Sequence, residues 1–283
     1  MTKLELRSAG PARGVLRASA PDGRLETLRL VPTTRLSPFV HHVWWVRWAL
    51  DTPFEAAALP HPSAQIVFEA QAGVQRATVA GVRTGPLAMR REGNGEAFGI
   101  TFRPAMFQPL LRASMTSITD RVVPLAHVLG STSDGWAEAI HAEADVARKL
   151  GLVDAFLGPL LLPPPADITR LRDLVERIAR DRSVVRVEQV SEIAGRDVRR
   201  LQRWFRSYLG VSPKWVIRRH RLHEAAEQLK GRRPPPLAAL AASLGYADQA
   251  HFARDFKLAV GRTPRAFARE HRDLTWAREG PGD

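Results

Sequence analysis

The chain has 283 residues, of which 45% are hydrophobic and 25% charged, a composition typical of a globular protein with one large or two ordinary domains. Its 42 Lys and Arg residues outnumber 29 Asp and Glu residues, giving a formal net charge of +13. Such an excess favours a polyanionic partner, either nucleic acid or an anionic membrane surface. The absence of cysteine excludes disulfides, thiolate nucleophiles and cysteine-ligated metals, and it leads us to expect a reducing, cytoplasmic location.

The sequence gives no sign of a membrane or secretory segment. Residues 1–10 carry charged side chains and lack the apolar stretch of a secretory signal. No apolar run reaches the roughly 18 residues of a membrane span. The nearest, residues 150–162, is interrupted by Asp154 and Pro159. We therefore expect no membrane partner.

Strand-like segments fill the first part of the chain. Short runs rich in β-branched and aromatic residues are separated by turns that contain Gly, Pro and Asn. The runs are Val40–Trp48, Gln65–Glu69, Val74–Val82 and Ala97–Phe102. They predict a β-rich, barrel- or sandwich-like domain, and the apolar pattern of Ala137–Leu150 predicts a helix after it.

The chain changes character at Pro163-Pro164-Pro165, because three prolines cannot continue a helix and they stiffen a linker. We therefore assign residues 1–162 to an N-terminal domain, 163–166 to a linker and 167–283 to a second domain. Residues 161–283 contain 25 basic and 15 acidic side chains, most of the positive excess. The predicted fold class is α+β, with a β-rich domain followed by an all-α domain.

The second domain is predicted to be helical throughout. Asp167 is placed to cap a helix whose apolar residues run from Ile168 to Ile178 at helical spacing. Further helices are predicted at about Glu188–Ala194, Val198–Tyr208, Lys214–Leu229, Leu237–Leu244, Gln249–Val260 and Pro264–His271. Glycines stand where these helices should end, at Gly195, Gly210, Gly231, Gly245 and Gly261.

The second domain also repeats itself at a spacing of 51 residues. The matching pairs are Ile193 with Leu244, Asp197 with Asp248, Leu201 with Phe252, Arg203 with Arg254, Phe205 with Phe256, Gly210 with Gly261, Ser212 with Thr263, and Pro213 with Pro264. Each unit consists of a short helix, a tight turn and a longer basic helix, which is the helix-turn-helix arrangement.

The longer helix of the first unit has a basic face. Arg199, Gln202, Arg203 and Arg206 follow at i, i+3, i+4 and i+7, opposite its apolar residues. Arg can donate to O6 and N7 of guanine together, and Gln can pair with N6 and N7 of adenine. A solvated polar face is the alternative, but a repeated helix-turn-helix on a basic segment favours the major groove of DNA.

The corresponding face of the second unit carries less charge. Gln249, His251, Arg254 and Lys257 are its polar candidates, and Asp248 is placed to be the N-cap. We therefore hypothesise that the first unit supplies more direct base recognition than the second.

Motifs at fixed spacing connect both units to a known family. The first unit contains Asp197-x-Arg199-x-Leu201-x-Arg203-x-Phe205, then Gly210-x-Ser212-Pro213 and Arg221-Leu222-x-x-Ala225. The second contains Leu240-Ala241-x-x-Leu244-Gly245-Tyr246-x-Asp248-Gln249-x-His251-Phe252-x-Arg254-x-Phe256-Lys257, then Gly261-x-Thr263-Pro264. The pair resembles the DNA-binding module of the AraC/XylS family of bacterial transcription regulators.

The resemblance implies two helix-turn-helix units, at about 167–211 and 230–271, joined by a linker helix at about 214–229. It implies that both recognition helices enter successive major grooves, about 34 Å apart. Base recognition would fall on Arg199, Gln202 and Arg203 in the first unit and on Gln249, His251 and Arg254 in the second. Arg206 and Lys257 would contact the DNA backbone.

The N-terminal domain resembles a domain of uncharacterised role that precedes some AraC-type modules. The matching stretches are Leu59-Pro60-His61-Pro62-Ser63, Gln65–Glu69, Val79-Ala80-Gly81-Val82, Phe98-Gly99-Ile100-Thr101-Phe102-Arg103-Pro104 and Ser117–Leu125. The resemblance implies a role in sensing an effector or in dimerisation.

Four residues are candidate ligand contacts in this domain: Trp44, Trp48, His61 and Arg103. Core packing is the alternative for the tryptophans, which share one face of a strand, and a structural carboxylate is the alternative partner for Arg103. His41, His42 and His61, with Glu69, could in principle hold a metal. Adjacent histidines on a strand point to opposite faces, however, so we expect neither a metal nor a cofactor.

Two functions are consistent with these features. The first is a sequence-specific transcription regulator whose partners are promoter DNA, a small-molecule effector, RNA polymerase in the case of an activator, and a second copy of the chain. The alternative is an enzyme or small-molecule carrier whose basic domain only localises it on DNA. No Gly-x-Ser-x-Gly or phosphate-binding glycine loop supports the enzyme. The regulator predicts a defined footprint from residues 166–283, whereas the alternative predicts binding that ignores sequence and is abolished by salt.

Overall fold

The computed structural model describes residues 8, 15–17, 23–231 and 233–279. Its strands are β1 (Val15–Arg17), β2 (Gly23–Leu30), β3 (Val40–Ala58), β4 (Gln65–Gln71), β5 (Val74–Ala80), β6 (Leu87–Phe102) and β7 (Val122–Pro124). Its helices are α1 (Gln108–Leu111), a 3₁₀ turn (Met115–Ser117), α2 (Ala126–Leu129), α3 (Thr132–Ala142), α4 (Val146–Leu157), α5 (Ala166–Arg180), α6 (Val187–Ala194), α7 (Val198–Leu209), α8 (Pro213–Leu229), α9 (Leu237–Ser243), α10 (Gln249–Val260) and α11 (Pro264–Glu279). The predicted α+β class, with strands first and helices after, is confirmed.

The β-rich domain is built on one antiparallel sheet in the order β1-β3-β6-β4-β5-β7, with β2 also paired to β3. Two long strands, β3 and β6, form its centre. The predicted strands Val40–Trp48 and Ala97–Phe102 are only parts of them, because β3 continues past an irregularity between Leu50 and Phe54. The sheet is therefore longer than the apolar runs in the sequence indicate.

Two glycines of β6 make room for tryptophan rings of β3. Trp44 lies opposite Gly99 and Trp48 lies opposite Gly95 in the strand register. A Cβ atom added to Gly99 or Gly95 would come within 2.1 Å or 2.2 Å of the facing indole ring. Trp44 and Trp48 pack in one cluster with Leu50, on the opposite side of the strand from Trp45, as strand alternation predicts.

Two helix predictions were wrong in detail. The predicted helix Ala137–Leu150 is two helices, because the chain is extended at Glu143 and Asp145, and Asp145 caps α4 by accepting the Arg148 N–H at 2.9 Å. Asp167 does not cap α5. The helix begins at Ala166 after Pro165, and the Asp167 carboxylate instead accepts a hydrogen bond from Arg196 at 3.0 Å.

The hydrophobic core is continuous across the proline segment. One cluster joins sheet residues such as Ile66 to Ile168 of α5 and Phe205 of α7. A second cluster contains the C-terminal half of α8 with α9, α10 and α11, and Leu59 of the N-terminal domain also packs into it. The segment 161–165 is irregular, but apolar packing crosses it, and the domain boundary that we place there stays a prediction.

Polar contacts also connect the sheet to the helices that follow. Arg103 donates through Nη1 to Glu176 of α5 at 2.7 Å and through Nε to the Ser37 carbonyl at 2.8 Å. Arg219 of α8 donates to the carbonyl of Thr84 at 2.7 Å. The sheet and the helical region are therefore held by ion pairs and hydrogen bonds as well as by apolar burial.

Three histidines meet where the sheet contacts α8. The ring of His61 stacks on that of His223, with centroids 4.3 Å apart, and lies 6.4 Å from that of His220. Burial lowers the pKa of His220 and His223 to about 3 each, and neighbouring cationic groups, including Arg219, add to the effect. Burial and the adjacent His223 hold the pKa of His61 well below its usual range. The interface thus requires neutral imidazoles.

This interface predicts loss of stability in mild acid. An unfolded imidazole binds its proton near pH 6.5, whereas the folded ones resist protonation, so the unfolded state binds more protons below that pH. Between about pH 7 and about pH 5.5 the free energy of unfolding should fall, with a limiting slope of about 1.4 kcal/mol per pH unit for each buried histidine. Urea denaturation across this range measures the slope.

His223→Gln should make the pH dependence of unfolding shallower, since one of the buried imidazoles is removed. His127→Gln, at an exposed position of α2, is the matched control and should keep the slope of the wild-type chain. Equal slopes in the wild-type chain and His223→Gln would contradict the prediction.

Candidate nucleic-acid interface

The helix boundaries in the structure reproduce the 51-residue repeat of the sequence. α7 and α10 have 12 residues each. Each follows an aspartate whose carboxylate accepts the backbone N–H three residues later, Asp197 at 2.9 Å and Asp248 at 2.7 Å. Each ends at a glycine with φ of +80°, Gly210 and Gly261, a left-handed conformation that favours glycine. The N-cap role predicted for Asp248 is confirmed.

The polar ridge of α7 is exposed. Its apolar side packs into the core through Leu201, Trp204, Phe205 and Leu209. The four predicted contact residues are all exposed on the opposite side: Arg199, Gln202, Arg203 and Arg206. Arg200 forms an ion pair with Asp197, with Nε and Oδ2 3.2 Å apart. α7 therefore presents a row of guanidinium and amide groups to solvent.

The polar ridge of α10 is exposed in the same way. Phe252 and Phe256 are fully buried on its inner side. The predicted contact residues are exposed: Gln249, His251, Arg254 and Lys257. Both units thus expose the side chains that the sequence assigns to recognition.

A buried carboxylate holds α10 against α8. Asp255, only 7% exposed, forms an ion pair with Arg218 of α8, with Nη2 and Oδ1 2.6 Å apart. Its second oxygen lies 3.6 Å from Nε2 of His251. Burial, with the nearby Asp255, raises the pKa of Tyr246, whose ring lies 5.2 Å from that of His251. These contacts connect α10 to α8 and bring Asp255 close to His251.

The first unit is attached to α8 through Arg221. Its Nη2 donates to the carbonyls of Ile178 at 3.0 Å, Asp181 at 2.6 Å and Val184 at 3.2 Å, around the end of α5. Burial lowers the pKa of this guanidinium. The next residue, Leu222, packs in the core of the second unit, so neighbouring residues of one helix anchor the two units.

The pairing of Arg218 with Asp255 was not predicted from the sequence. Neither lies at a position of the family motifs quoted above. The available signal was Asp255 itself, an acid four residues after His251 on the side of a helix next to buried phenylalanines.

The four ligand candidates of the N-terminal domain all have partners within the protein. Trp44 donates to Gln65 at 3.1 Å, and Trp48 is buried with its indole N–H 3.3 Å from the Glu92 carbonyl. His61 packs against α8, and Arg103 pairs with Glu176. Their role in ligand binding stays a prediction.

Within the described residues, no group of three His, Asp or Glu side chains is arranged to hold a metal ion. None of the helices in the described parts of the chain combines the length and apolar character needed to cross a membrane.

Family models match two parts of the chain. Residues 28–124 match a domain of unknown function, DUF6597. Residues 190–270, which contain α7 and α10, match a helix-turn-helix domain. No curated protein was found to match the sequence.

Three solved structures are among those similar to the chain. The C-terminal domain of AraT, a response regulator from Geobacillus stearothermophilus, is 28% identical over 35% of this chain and 83% of that one, with a TM-score of 0.32. An AraC-type transcriptional regulator from Chromobacterium violaceum is 23% identical over 40% of this chain and 95% of that one, with a TM-score of 0.33. ToxT from Vibrio cholerae is 10% identical over 87% of this chain and 98% of that one, with a TM-score of 0.40.

The geometry of Arg221 predicts a large effect of its removal on stability. Arg221→Met keeps much of the side-chain volume but removes the hydrogen bonds to three carbonyls, so we expect a loss of about 2–4 kcal/mol in the free energy of unfolding. Chemical denaturation of the full chain measures it. Arg206→Met, at an exposed position of α7, is the matched control and should change stability little. A similar effect of both substitutions would show that the carbonyl contacts of Arg221 do not stabilise the fold.

Proposed function

We propose that this chain, in which an AraC-type helix-turn-helix domain at residues 190–270 follows a domain of unknown function at residues 28–124, regulates transcription by binding specific DNA sequences with α7 and α10. The observation that carries the proposal is the repeat of the exposed ridge. Two helices with the same caps and the same buried pattern each present Arg and Gln side chains to solvent. A structural role would not require this pattern twice.

The charge distribution supports nucleic acid as the partner. Lys and Arg side chains of the second domain attract phosphates and displace counterions, which gives affinity that depends on salt but not on sequence. Sequence preference then comes from the ridges, where Arg203 and Gln202 of α7 reach base edges and Arg206 contacts phosphate. In α10 the corresponding contacts are Gln249, Arg254 and Lys257, with His251 held beside Asp255.

Contacts between the N-terminal domain and the helices that follow it support a role for this domain in modulating DNA binding. It contacts α8 through Thr84 and His61, and it contacts the end of α7 through Thr119, whose hydroxyl donates to the Gly210 carbonyl at 3.0 Å. An effector or a second copy of the chain that changes this interface would therefore change the population of forms that bind DNA. RNA polymerase would be a further partner if the regulator is an activator.

Footprinting on a target selected by the full chain tests the proposal. Fragments recovered from a genomic DNA pool should share a motif, and the chain should protect about two helical turns of it. The full chain is the right material because the core of the first unit is continuous with the sheet. Recovery of fragments without a shared motif, with binding that vanishes uniformly as salt rises, would favour the alternative of a basic domain that only localises the chain on DNA.

The two ridges should contribute unequally. Arg203→Ala should reduce discrimination between the target and a mismatched site by about 1–3 kcal/mol, the usual value of a bidentate contact, and Arg254→Ala should reduce it less. Competition binding at fixed salt measures the discrimination. Arg24→Ala, exposed on β2, is the control and should behave as wild type. A larger effect of Arg254→Ala than of Arg203→Ala would reverse the assignment.

A further inference from the structure

A small cavity in the N-terminal domain lies away from the proposed DNA interface. Its volume is about 210 Å³, and its lining residues come from β3, β4, β6, α3, α4 and the segment between these helices. In the strand register Arg47, Glu96 and Ala70 face one another across the three strands, and Phe98 and Phe68 form a neighbouring pair two residues along. The sheet therefore supplies a charged end and an aromatic end of the same cavity.

The charged end contains a buried lysine. Lys149 is only 2% exposed, and its Nζ lies 2.7 Å from Oε1 of Glu96 and 2.7 Å from the Ile140 carbonyl. An ammonium group has three N–H donors, so these contacts leave one without an acceptor among the described residues. Taking a lysine out of water is costly unless its donors find partners, so the third N–H has to be accounted for.

Positive charge exceeds negative charge at this end. Glu96 also accepts from Arg47, at 2.7 Å, so one carboxylate serves two cations. Burial alone would raise the pKa of Glu96, but the hydrogen bonds from Lys149 and Arg47 outweigh it and lower the pKa, which keeps the group ionised. Glu143 at the rim accepts the Asp145 N–H at 2.8 Å, and its charge is offset by an ion pair with Arg148 at 3.9 Å. The excess is one positive charge.

A histidine beside this lysine has an unused nitrogen. Nε2 of His141 is buried and has no hydrogen-bond partner among the described residues, whereas the ring interacts with the backbone of Arg76. Burial lowers the pKa of His141, so the ring is neutral and Nε2 is available as an acceptor. A buried polar atom without a partner in a cavity that also contains an unused N–H indicates a polar ligand.

We infer that this cavity binds a small monocarboxylate with a short apolar body, the carboxylate beside Lys149 and Arg47 and the body against Phe68 and Phe98. A monoanion balances the excess charge, and the phenyl rings, with centroids 6.4 Å apart, give the apolar end a wall. A hydroxyl next to the carboxylate would reach His141. At about 30 Å³ per water molecule, the cavity holds about seven waters, which matches a ligand of about seven to nine non-hydrogen atoms.

The inference deepens the proposed function, because it gives the modulating ligand a chemical class and a place. Binding is measured without DNA. Ligand-observed NMR on the full chain uses butyrate, isovalerate and 2-hydroxyisovalerate as probes, with isovaleramide and isopentylamine as neutral and cationic analogues. We expect the carboxylates to bind at millimolar concentration or better, the hydroxy acid most tightly, and both analogues at least about tenfold more weakly.

Two variants test the position of the site. Lys149→Met should weaken carboxylate binding at least about tenfold. Ala70→Leu leaves every charge in place and fills the cavity, so it should abolish binding even if Lys149→Met folds poorly. Ala49→Leu, at an exposed position of β3 that does not line the cavity, is the matched control and should bind as wild type.

Failure of binding by all three carboxylates, equal binding of the amide, or unchanged binding in Ala70→Leu would each overturn the site. Footprinting distinguishes this result from failure of the proposed function. A chain that binds specific DNA but none of the probes lacks this site and is still a regulator, whereas a chain that binds the probes but no specific DNA has the site without that function.

Discussion

One helix, α8, has to satisfy three sets of neighbours at once, and the arrangement of the whole chain depends on how it does so. Its 17 residues place Val216 and Ile217 in the core of the first unit, and Leu222 and Leu229 in the core of the second. Its remaining side faces the N-terminal domain through Arg219 and the stacked histidines. Because a helix is rigid over this length, any of the three neighbours that shifts must move against the other two or break its contact with α8.

This constraint explains why polar side chains are buried along α8. Arg221 is surrounded by carbonyl groups at the end of α5, and three of them accept hydrogen bonds from its Nη2. The Arg218–Asp255 pair, one turn earlier on α8, attaches α10. The two recognition ridges are therefore related through directional contacts, which define an orientation more narrowly than apolar packing alone. Such a relation is what simultaneous contact with two grooves of one duplex would demand.

The sequence predicts most local features of the helical part because they repeat. Aspartate caps, left-handed glycines and buried aromatic positions recur at a fixed spacing, so a feature predicted in one unit can be checked against the same position of the other unit. The observed bounds of α10 agree with the predicted ones. The contacts between units were not predictable, because Arg218 and Asp255 meet only after the fold brings α8 and α10 together. The charged cavity of the N-terminal domain was not predictable for the same reason, because it brings together residues that are distant in sequence. Lys149 and Glu96 are 53 positions apart in sequence and lie on a helix and a strand.

The division of α8 between two cores has a consequence for how the chain emerges from the ribosome. The sheet, α5, α7 and the first half of α8 can complete the larger core as soon as residues up to about 221 are available. The second half of α8 then exposes Leu222, Ala225 and Leu229 until the last three helices are synthesised and cover them. A nascent chain or a truncated product that stops in this interval exposes an apolar strip along α8. Chaperones bind surfaces of this kind, which otherwise promote aggregation.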